Sequence, residues 1–360
     1  MDRGTTTQIL IARPSSVPQL AWAKDDDGDA IAALLAAPMP GAMRFVLSDR
    51  PDHCVPRSDT HVRHSAIIVR GVDGAILGHG ARTVRRLWIA GQSRWMGYLH
   101  GLRQAPTLHG DGRRLARALR ILHEQRADDE VTYDFTAILN GNFQARRVLE
   151  AGLRGAPAYH HLTDYTTLIC DVRVARTWTS QNITLRRCPD EAFGLLHELI
   201  VQHAAEYAPA DHQGDTPDSW WTAWRGDRLV GAARHVDRCG ERREFVDSYV
   251  PWLAAIRPIL NVGLWATRRP MLPAPHTPLA TVYAANLIST EDNDEIIRML
   301  LAGVASDTNC NQIVWGLGNS HSLASIQSTI PGLRICSRLY AVGKRPDLPQ
   351  RPISPEAAWL

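Results

Sequence analysis

The sequence predicts an α/β protein of the α+β type, in which helices cover both faces of a mixed β-sheet. Short apolar segments of strand length alternate with longer segments of helical period along the chain. The turn sequence Gly-Val-Asp-Gly at 71–74 separates two apolar runs, a pattern typical of a β-hairpin. The order of elements then recurs, which predicts two tandem domains, at residues 1–172 and 173–360.

The first half contains the predicted strands and helices in an order that mixes antiparallel strands with two crossover helices. The strands are residues 8–13, 66–69, 75–79, 83–89, 94–104, 131–139 and 163–172, and the helices are residues 25–38, a segment starting near 113, and 143–151. In the second helix Leu115, Leu119 and Leu122 recur at i, i+4 and i+7, so this apolar face is predicted to lie on the sheet.

The second half repeats this order after a weakly marked boundary between 171 and 182. Its predicted strands are residues 182–186, 220–224, 229–236, 244–250, 281–289, 312–317 and 334–342, and its helices are residues 190–206 and 292–304. The segment that corresponds to the loop before the helix at 113 is Thr290–Asp294. It holds three acids in five residues, so it is predicted to repel a pyrophosphate.

Composition excludes several classes of protein. A hydrophobic content of 44% and a charged content of 21% are ordinary for a globular chain, and a net charge of +3 does not by itself imply nucleic-acid binding. No apolar stretch is long enough to span a bilayer and no signal peptide is recognised, so a cytoplasmic location without a membrane partner is expected. The six cysteines lack C-x-x-C spacing, so free thiols and no metal site are expected.

The stretch Trp95–Gln125 is the strongest candidate for a binding site. It is predicted to be a strand, a Pro/Gly loop at 106–112 and an arginine-rich helix. The first N–H groups of a helix and its dipole favour an anion, which predicts a site for the pyrophosphate of a nucleotide-like acyl donor. Ten arginines and only two acids lie between Arg82 and Arg126, so this stretch carries a formal charge of +8. A solvated helix face and a polyanionic ligand are both consistent with that charge.

Several motifs resemble the GNAT N-acetyltransferase superfamily. Residues 97–104 followed by Ala105-Pro106 resemble its fourth strand and the proline exit, and residues 109–114 lie where the family has its pyrophosphate loop. Asn142-Phe143-Gln144-Ala145 is similar to the N-x-x-A that follows the fifth strand, and residues 148–153 resemble the end of the next helix. The resemblance covers about residues 8–172, and the second half resembles a degenerate domain of the same fold.

The resemblance implies transfer of an acetyl or other acyl group from acyl-CoA to the amine of a small-molecule acceptor. The residues that it places at the donor are Leu102, Arg103, Gln104, His109, Gly110, Gly112, Arg113, Arg114 and Asn142. The second domain, which lacks the basic loop, is expected to shape the acceptor pocket or to brace the first domain.

The sequence departs from the family at the catalytic residues. Leu149 stands where the family's proton-donating tyrosine is expected, and Tyr159 is the nearest substitute, with a packed aromatic ring as the alternative. For the base, His100 is the first candidate, and the alternatives are His109 and the carboxylates of Asp49 and Asp52 in a polar loop at 41–61.

Two other functions fit the same residues. An aminoacyl-tRNA-dependent amide-forming transferase would use the Arg82–Arg126 basic stretch for tRNA, and a non-catalytic ligand-binding or scaffold protein would need neither the tyrosine nor the glycine-rich loop. Neither the G-x-S-x-G nucleophile elbow of α/β-hydrolases nor a G-x-x-x-x-G-K-[ST] phosphate loop occurs, which argues against hydrolase and P-loop chemistry.

Overall fold

A computed structural model gives the fold. It describes residues 17–39, 41–58, 62–89, 92–108, 112–125, 131, 133–206, 216–238, 240–291, 293–318, 330–343 and 357. The strands are β1 (Gln19–Trp22), β2 (Met43–Asp49), β3 (Arg57–Ser58), β4 (Val62–Arg70), β5 (Ile76–Ile89), β6 (Gln92–Gln104), β7 (Tyr133–Leu139), β8 (Tyr159–Asp171), β9 (Thr184–Arg187), β10 (Trp220–Arg225), β11 (Arg228–Asp237), β12 (Arg242–Tyr249), β13 (Thr281–Ser289), β14 (Gln312–Gly318) and β15 (Leu333–Val342).

The α-helices are α1 (Gly28–Leu35), α2 (Gly112–Glu124), α3 (Phe143–Glu150), α4 (Val172–Ala175), α5 (Phe193–Glu206), α6 (Pro251–Ala266) and α7 (Asp294–Ser306). Single 3₁₀ turns cover Asp25–Asp27, Pro51–His53, Pro106–Leu108, Asp190–Ala192 and Pro217–Ser219. Among the described helices, none has the length and apolar character needed to cross a membrane.

One mixed sheet runs through both halves of the chain. Its strands lie in the order β1-β4-β5-β6-β7-β15-β8-β14-β13-β11-β10-β9, and β3 pairs with β4 at its side. The pairs β6–β7 and β13–β14 are parallel, whereas the other recorded pairs in this sheet are antiparallel. The predicted fold class, a mixed sheet with helices, is therefore confirmed.

The two halves exchange their last strands. β8, the last strand of the first half, pairs with β14 from Gln312↔Asp171 to Gly318↔Tyr165. β15, the last described strand of the chain, lies between β7 and β8 and pairs with both. The centre of the sheet is therefore built from both halves, and each half is completed by a strand of the other.

A second small sheet also joins the halves. β2 and β12 pair with each other and with no other named strand, in a register that places Asp49 opposite Arg242. The prediction of a loop at 41–61 was wrong for this part, because β2 and β3 lie within it. β2 contains the apolar run Phe45-Val46-Leu47, but its pairing with β12 joins distant parts of the chain, and a single sequence carries no local signal for such a pairing. The predicted strand at 8–13 lies outside the described residues.

Helices α1 and α2 cover opposite faces of the first half of the sheet. Alternation along β4 sends Ile68 toward α1 and Ile67 toward Leu122 of α2. Leu119 and Leu122 are buried, which agrees with the predicted apolar face of α2. The site residues of β6 are divided between the two faces in the same way.

Candidate functional site

The parallel strands β6 and β7 separate after three residue pairs. They pair from Met96↔Tyr133 to Tyr98↔Phe135, and beyond this point each continues without pairing to the other. At the apex, Thr136 Oγ1 donates a hydrogen bond to the carbonyl oxygen of Leu99 at 2.8 Å. The edge of β6 that faces β7 is thus open from Leu102 onward among the described strands. An open strand edge presents backbone N–H groups to a ligand.

A β-bulge follows at once in β6. Two residues, Gly101 and Leu102, stand opposite Gly80 of β5, because the register shifts between His79 and Ala81. Gly101 has a φ of +64°, and a Cβ there would lie 3.0 Å from Cε1 of His79. His79 Nδ1 donates to the carbonyl oxygen of Gly101 at 2.8 Å. A glycine is therefore required at this point of the strand.

On the α2 face of the sheet, the bulge leads into a groove of about 410 Å³ that is partly open to solvent. We call it the α2 groove; the residues that matter here are Gly78, Gly80, Leu102, Arg103, Gln104, Arg114 and Leu115. Four of the predicted donor residues are therefore brought together: Leu102, Arg103 and Gln104 at the end of β6, and Arg114 in the first turn of α2.

The α2 groove is positively charged. Nε of Arg103 is buried and has no hydrogen-bond partner among the described residues, while burial lowers the pKa of this guanidinium. Arg113 lies exposed on the same first turn as Arg114. Two arginines and the first N–H groups of a 13-residue helix form a site that suits a phosphate group.

On the opposite face of β6 lies a second cavity, of about 580 Å³ and partly open, which we call the histidine cavity. Its polar lining consists of Asp49, His53, His64, Thr83, Arg85, Tyr98, His100, Arg238 and Arg242. Tyr98 and Phe135, the last residue pair before the strands separate, both contribute to its wall. The histidine cavity and the α2 groove therefore lie on opposite faces of β6, on either side of its bulge, and the histidine cavity reaches β7 at Phe135.

His100 belongs to a chain of hydrogen bonds within the histidine cavity. Its Nε2 lies 2.8 Å from Oγ1 of Thr83, and the same hydroxyl lies 2.8 Å from Nδ1 of His64. The ring of Tyr98 stacks on that of His100 at 5.1 Å between centroids. This arrangement fixes the plane of the imidazole and links it through a hydroxyl to a second imidazole.

Charged groups from both halves close the cavity. Arg242 Nε donates to Oδ1 of Asp49 at 3.2 Å, and Tyr283 donates to Oε1 of Glu244 at 2.8 Å beside the same arginine. Burial raises the pKa of the Asp49 carboxyl, but Arg242, His100 and Arg238 together outweigh it, so the net shift is downward. Asp49 is therefore an anion at neutral pH.

The imidazole of His100 is neutral at physiological pH. Burial, together with His64 nearby, holds its pKa well below the ordinary value of 6.5. Burial also raises the pKa of Tyr98 to about 12, so this phenol stays protonated. A neutral imidazole offers a lone pair to an acidic proton, which is the requirement for a general base.

Tyr159 lies elsewhere in the structure. It is on β8, where its ring packs against the core beneath α2 and α3, and it lines neither the α2 groove nor the histidine cavity in the described part of the chain. Burial, followed by Asp134, raises the pKa of its phenol. This placement agrees with the alternative role given for Tyr159, a packed aromatic ring. A role of Tyr159 in proton transfer stays a prediction.

The remaining donor residues divide into two groups. Asn142 caps α3, where its Oδ1 accepts from the N–H of Ala145 at 3.1 Å. Gly112 begins α2, and a Cβ there would meet nothing nearer than 3.7 Å. His109 and Gly110 lie outside the described residues. Their assignment to the donor stays a prediction.

The Arg82–Arg126 basic stretch does not form one surface. Arg82 is fully buried, and its Nε donates to Oδ1 of Asp134 at 2.9 Å, while Oδ2 of Asp134 lies 2.9 Å from Nδ1 of His123. Gly97 leaves the room for this network, because a Cβ there would lie 1.9 Å from Asp134. Arg85 lines the histidine cavity and Arg103 the α2 groove. The charge of +8 is thus divided among a core ion pair, two cavities and the exterior.

Sequence reasoning missed two partners of His100, namely Thr83 and His64. Neighbouring antiparallel strands carry them, and the register places His64 opposite Thr83 and Thr83 opposite Tyr98. The strand of Thr83 was predicted, but His64 lies two residues before the predicted strand at 66–69. The register was not predicted, and a one-residue slip would have turned these side chains to the other face. The pairing of Asp49 with Arg242 across the two halves had no signal in the sequence.

The second half contains a similar opening with different residues around it. β13 and β14 pair from Thr281↔Gln312 to Tyr283↔Val314 and then separate, and β13 has a bulge at Asn286, which has a φ of +46°. When the β11–β13 register is aligned with the β5–β6 register, Asn286 occupies the position of Gly101, and Ala285 occupies that of His100. The imidazole is thus absent from the second opening.

Comparisons with known proteins support the fold alone. None of the protein-family models matches this sequence, and none of the curated proteins does. Among solved structures, the N-myristoyltransferase of Saccharomyces cerevisiae with bound myristoyl-CoA superposes with a TM-score of 0.55 at 9% identity, over 96% of this chain and 88% of that chain. A GCN5-related N-acetyltransferase from Sphaerobacter thermophilus superposes with a TM-score of 0.52 at 14% identity, over 93% of this chain and 100% of that chain. The chain therefore has a GNAT-like fold over most of its length.

Proposed function

We propose that this protein is an acyltransferase that moves an acyl group from acyl-CoA to the amine of a small-molecule acceptor. One observation carries the proposal: β6, next to the point where it separates from β7, has a basic groove at a helix N-terminus on one face and a cavity that holds a neutral imidazole on the other. Acyl transfer needs these three parts, namely an anion site for the carrier, N–H groups for the developing oxyanion and a base for the amine.

The α2 groove supports a CoA donor. The first turn of α2, with Arg113 and Arg114, would receive the pyrophosphate, and Arg103 would add a further cation. The open edge of β6 near Leu102 would then receive the thioester carbonyl. A likeness of fold to a protein whose structure holds myristoyl-CoA is consistent with an acyl-CoA donor, with either acetyl or longer chains.

His100 would act as the base. The amine nitrogen attacks the thioester carbon, the carbon–sulfur bond breaks, the amine proton passes to His100 and the thiolate leaves with CoA. The hydrogen bond to Thr83 holds the imidazole in place, and Asp49 favours the imidazolium that forms. The product amide needs no other group from the protein.

We also propose a division of labour between residues 1–172, which bind the donor, and residues 173–360, which complete the acceptor side. Arg238 and Arg242 of the second half line the histidine cavity, which supports this role. The tRNA-dependent alternative loses part of its basis, because Arg82 is buried in the core. An acceptor that carries an anionic group is favoured by the arginines of the histidine cavity.

Release of free CoA thiol, measured with acetyl-CoA or longer acyl-CoA and a panel of amines, tests the activity. Arg113→Glu combined with Arg114→Glu is expected to weaken donor binding by roughly a hundredfold, since two charge-assisted contacts are replaced by repulsion. Isothermal titration measures that affinity.

The matched control is Arg117→Glu combined with Arg120→Glu, which makes the same change in charge on two exposed residues of the same helix. Donor affinity in the control is expected to change only a few fold, by long-range electrostatics. Equal losses in both double variants would show that net charge, and not the first turn of α2, determines donor binding.

A further inference from the structure

Helix α6 presents its large apolar side chains to solvent. Trp252 is 62% exposed, Ile259 75%, Val262 66% and Trp265 64%. None of its sixteen residues is buried. A surface helix of a globular protein normally turns such residues toward the core, so α6 has an apolar exterior that the described residues do not cover.

The polar residues of α6 face the opposite way, toward the protein. Asn261 forms two hydrogen bonds with the backbone of Leu272: its Nδ2 donates to the carbonyl oxygen at 2.9 Å, and its Oδ1 accepts from the N–H at 2.8 Å. Arg257 Nη1 donates to the same carbonyl oxygen at 3.3 Å. These contacts hold Asn261 and Arg257 against the segment that follows the helix, on the side of α6 away from Ile259.

The chain around α6 is cationic. Residues 248–290 contain no Asp or Glu, and they contain Arg257, Arg268 and Arg269, which gives three positive charges and no negative charge. Arg268 and Arg269 are exposed and follow the C-terminal end of the helix. The apolar face therefore has basic residues beside it, and Trp252 and Trp265 lie near its two ends.

We infer that α6 docks this protein on the surface of an anionic phospholipid bilayer, lying in the plane of the interface. Tryptophan is favoured at the boundary between headgroups and acyl chains, the aliphatic residues enter the acyl region, and the arginines contact anionic headgroups. A helix of sixteen residues is about 24 Å long, too short to span the hydrocarbon core. The inference departs from the sequence-based expectation of no membrane partner, which rested on the lack of an apolar stretch long enough to span a bilayer.

Charge favours a bilayer over a second copy of this chain. A symmetric contact through α6 would bring two segments together that each carry three arginines and no acid, so their charges would repel. An anionic membrane neutralises the same charges. β12, which carries Arg242 of the histidine cavity, ends at Tyr249, next to the start of α6, so the docking helix continues directly from a wall of that cavity.

Flotation of the full chain with vesicles tests the inference. Vesicles of phosphatidylcholine mixed with phosphatidylglycerol are expected to carry the protein. Pure phosphatidylcholine vesicles are expected to carry at least roughly tenfold less protein. Ile259→Glu combined with Val262→Glu should abolish flotation, because two charges enter the face that meets the acyl chains. Arg268→Gln combined with Arg269→Gln should reduce binding to the mixed vesicles roughly tenfold.

Phe143→Glu is the matched control, because Phe143 is 72% exposed but lies on α3. This variant should float like the wild type. The midpoint of urea unfolding confirms that each variant is folded. Wild-type protein that stays unbound with both vesicles overturns the inference, and so does equal binding of the Ile259/Val262 variant. A wild-type dimer by light scattering that becomes monomeric in this variant, without vesicle binding, would assign the face to a second copy instead.

Discussion

The two halves of this protein contain the same opening between parallel strands, but the described residues around the two openings differ in packing and in charge. Gly101 and His100 of the first half correspond to Asn286 and Ala285 of the second. In the first half the bulge lies between the α2 groove and the histidine cavity. In the second half the corresponding polar side chain, Asn286, is buried, and neither of its polar atoms has a partner in the described part of the chain.

The helix that follows each opening accounts for most of the difference. In the second half Ile296 and Leu300 of α7 are fully buried, and a Cβ on Gly231 would lie 2.7 Å from Ile296. The register equates Gly231 with Gly78, which borders the α2 groove of the first half. The same backbone is therefore either a binding groove or a solid core, depending on the side chains of one helix.

The charge at the two helix N-termini also differs. The first turn of α2 carries Arg113 and Arg114, and the first turn of α7 carries Asp294 and Glu295. Glu291, just before α7, is held by Arg225 in two hydrogen bonds of 2.9 and 2.8 Å. Because an anion at the N-terminus of α7 would meet these acids, the comparison favours a single phosphate site, in the first half.

The largest difference expected between the halves is in how much a core substitution lowers the free energy of unfolding. Asp134→Ala should lower the free energy of unfolding by about 3–5 kcal/mol, since it leaves the charge of Arg82 buried without its carboxylate. The corresponding residue of the second half is Ile313, and Ile313→Val should cost only about 1 kcal/mol. Urea unfolding measures both, and similar losses would show that the buried ion pair has no special role.

Replacing His100 would make the first opening resemble the second, where the residue is Ala285. His100→Ala is expected to lower kcat by roughly 10²- to 10⁴-fold and to leave the KM for acyl-CoA nearly unchanged. Steady-state release of CoA thiol measures both constants. His161→Ala, at an exposed position, is the control. An unchanged kcat in the His100 variant would assign proton transfer to another group.

Substitutions at the bulges of the two halves are expected to differ less in their effects on stability and acyl-CoA affinity. Gly101→Ala should destabilise the fold by roughly 1–2 kcal/mol, since a left-handed backbone disfavours a side chain and the new Cβ meets His79. It should also weaken acyl-CoA binding, because the bulge opens the edge of β6. Asn286→Gly, at the equivalent bulge, should leave acyl-CoA affinity unchanged. Titration of acyl-CoA into both variants checks this, and a matching loss in Asn286→Gly would place donor binding in the second half as well.

The smallest effect expected is on the pH dependence of stability. The pKa of His100 is depressed in the folded state, so between that pKa and 6.5 the unfolded chain binds more protons than the folded chain. Stability is therefore fully present above pH 6.5 and falls as the pH is lowered through this range, by at most about 1.4 kcal/mol per pH unit from this residue. Urea unfolding at a series of pH values should show a shallower fall in His100→Gln. Parallel curves would mean that His100 titrates normally.

The comparison also shows what the sequence could reveal. The apolar period of α2 and the hairpin at 71–74 predicted elements that the structure contains, since local pattern determines such elements. The cluster of Leu102, Arg103, Gln104 and Arg114 followed from a resemblance of motifs and not from periodicity. His100 was a candidate before its partners were known, because it lies near the end of the strand that leads into the predicted phosphate loop.

The features that the sequence did not reveal are non-local. The exchange of β8 and β15 between the halves depends on which edges meet, and β2 has its only described strand partner about 200 residues away, in β12. Helix α6 was not predicted, because its segment is apolar on nearly all sides and contains Pro258, which obscures a helical period. Arg82 was counted as surface charge, although it lies in the core.

The stoichiometry and position of acyl-CoA binding test the central claim most directly. Isothermal titration of the full chain with acyl-CoA should give one site per chain, and Arg113→Glu combined with Arg114→Glu should weaken its affinity by roughly a hundredfold while the urea unfolding midpoint stays unchanged. Two sites per chain, or one site with unchanged affinity in this variant, would contradict the assignment of the donor to the opening between β6 and β7.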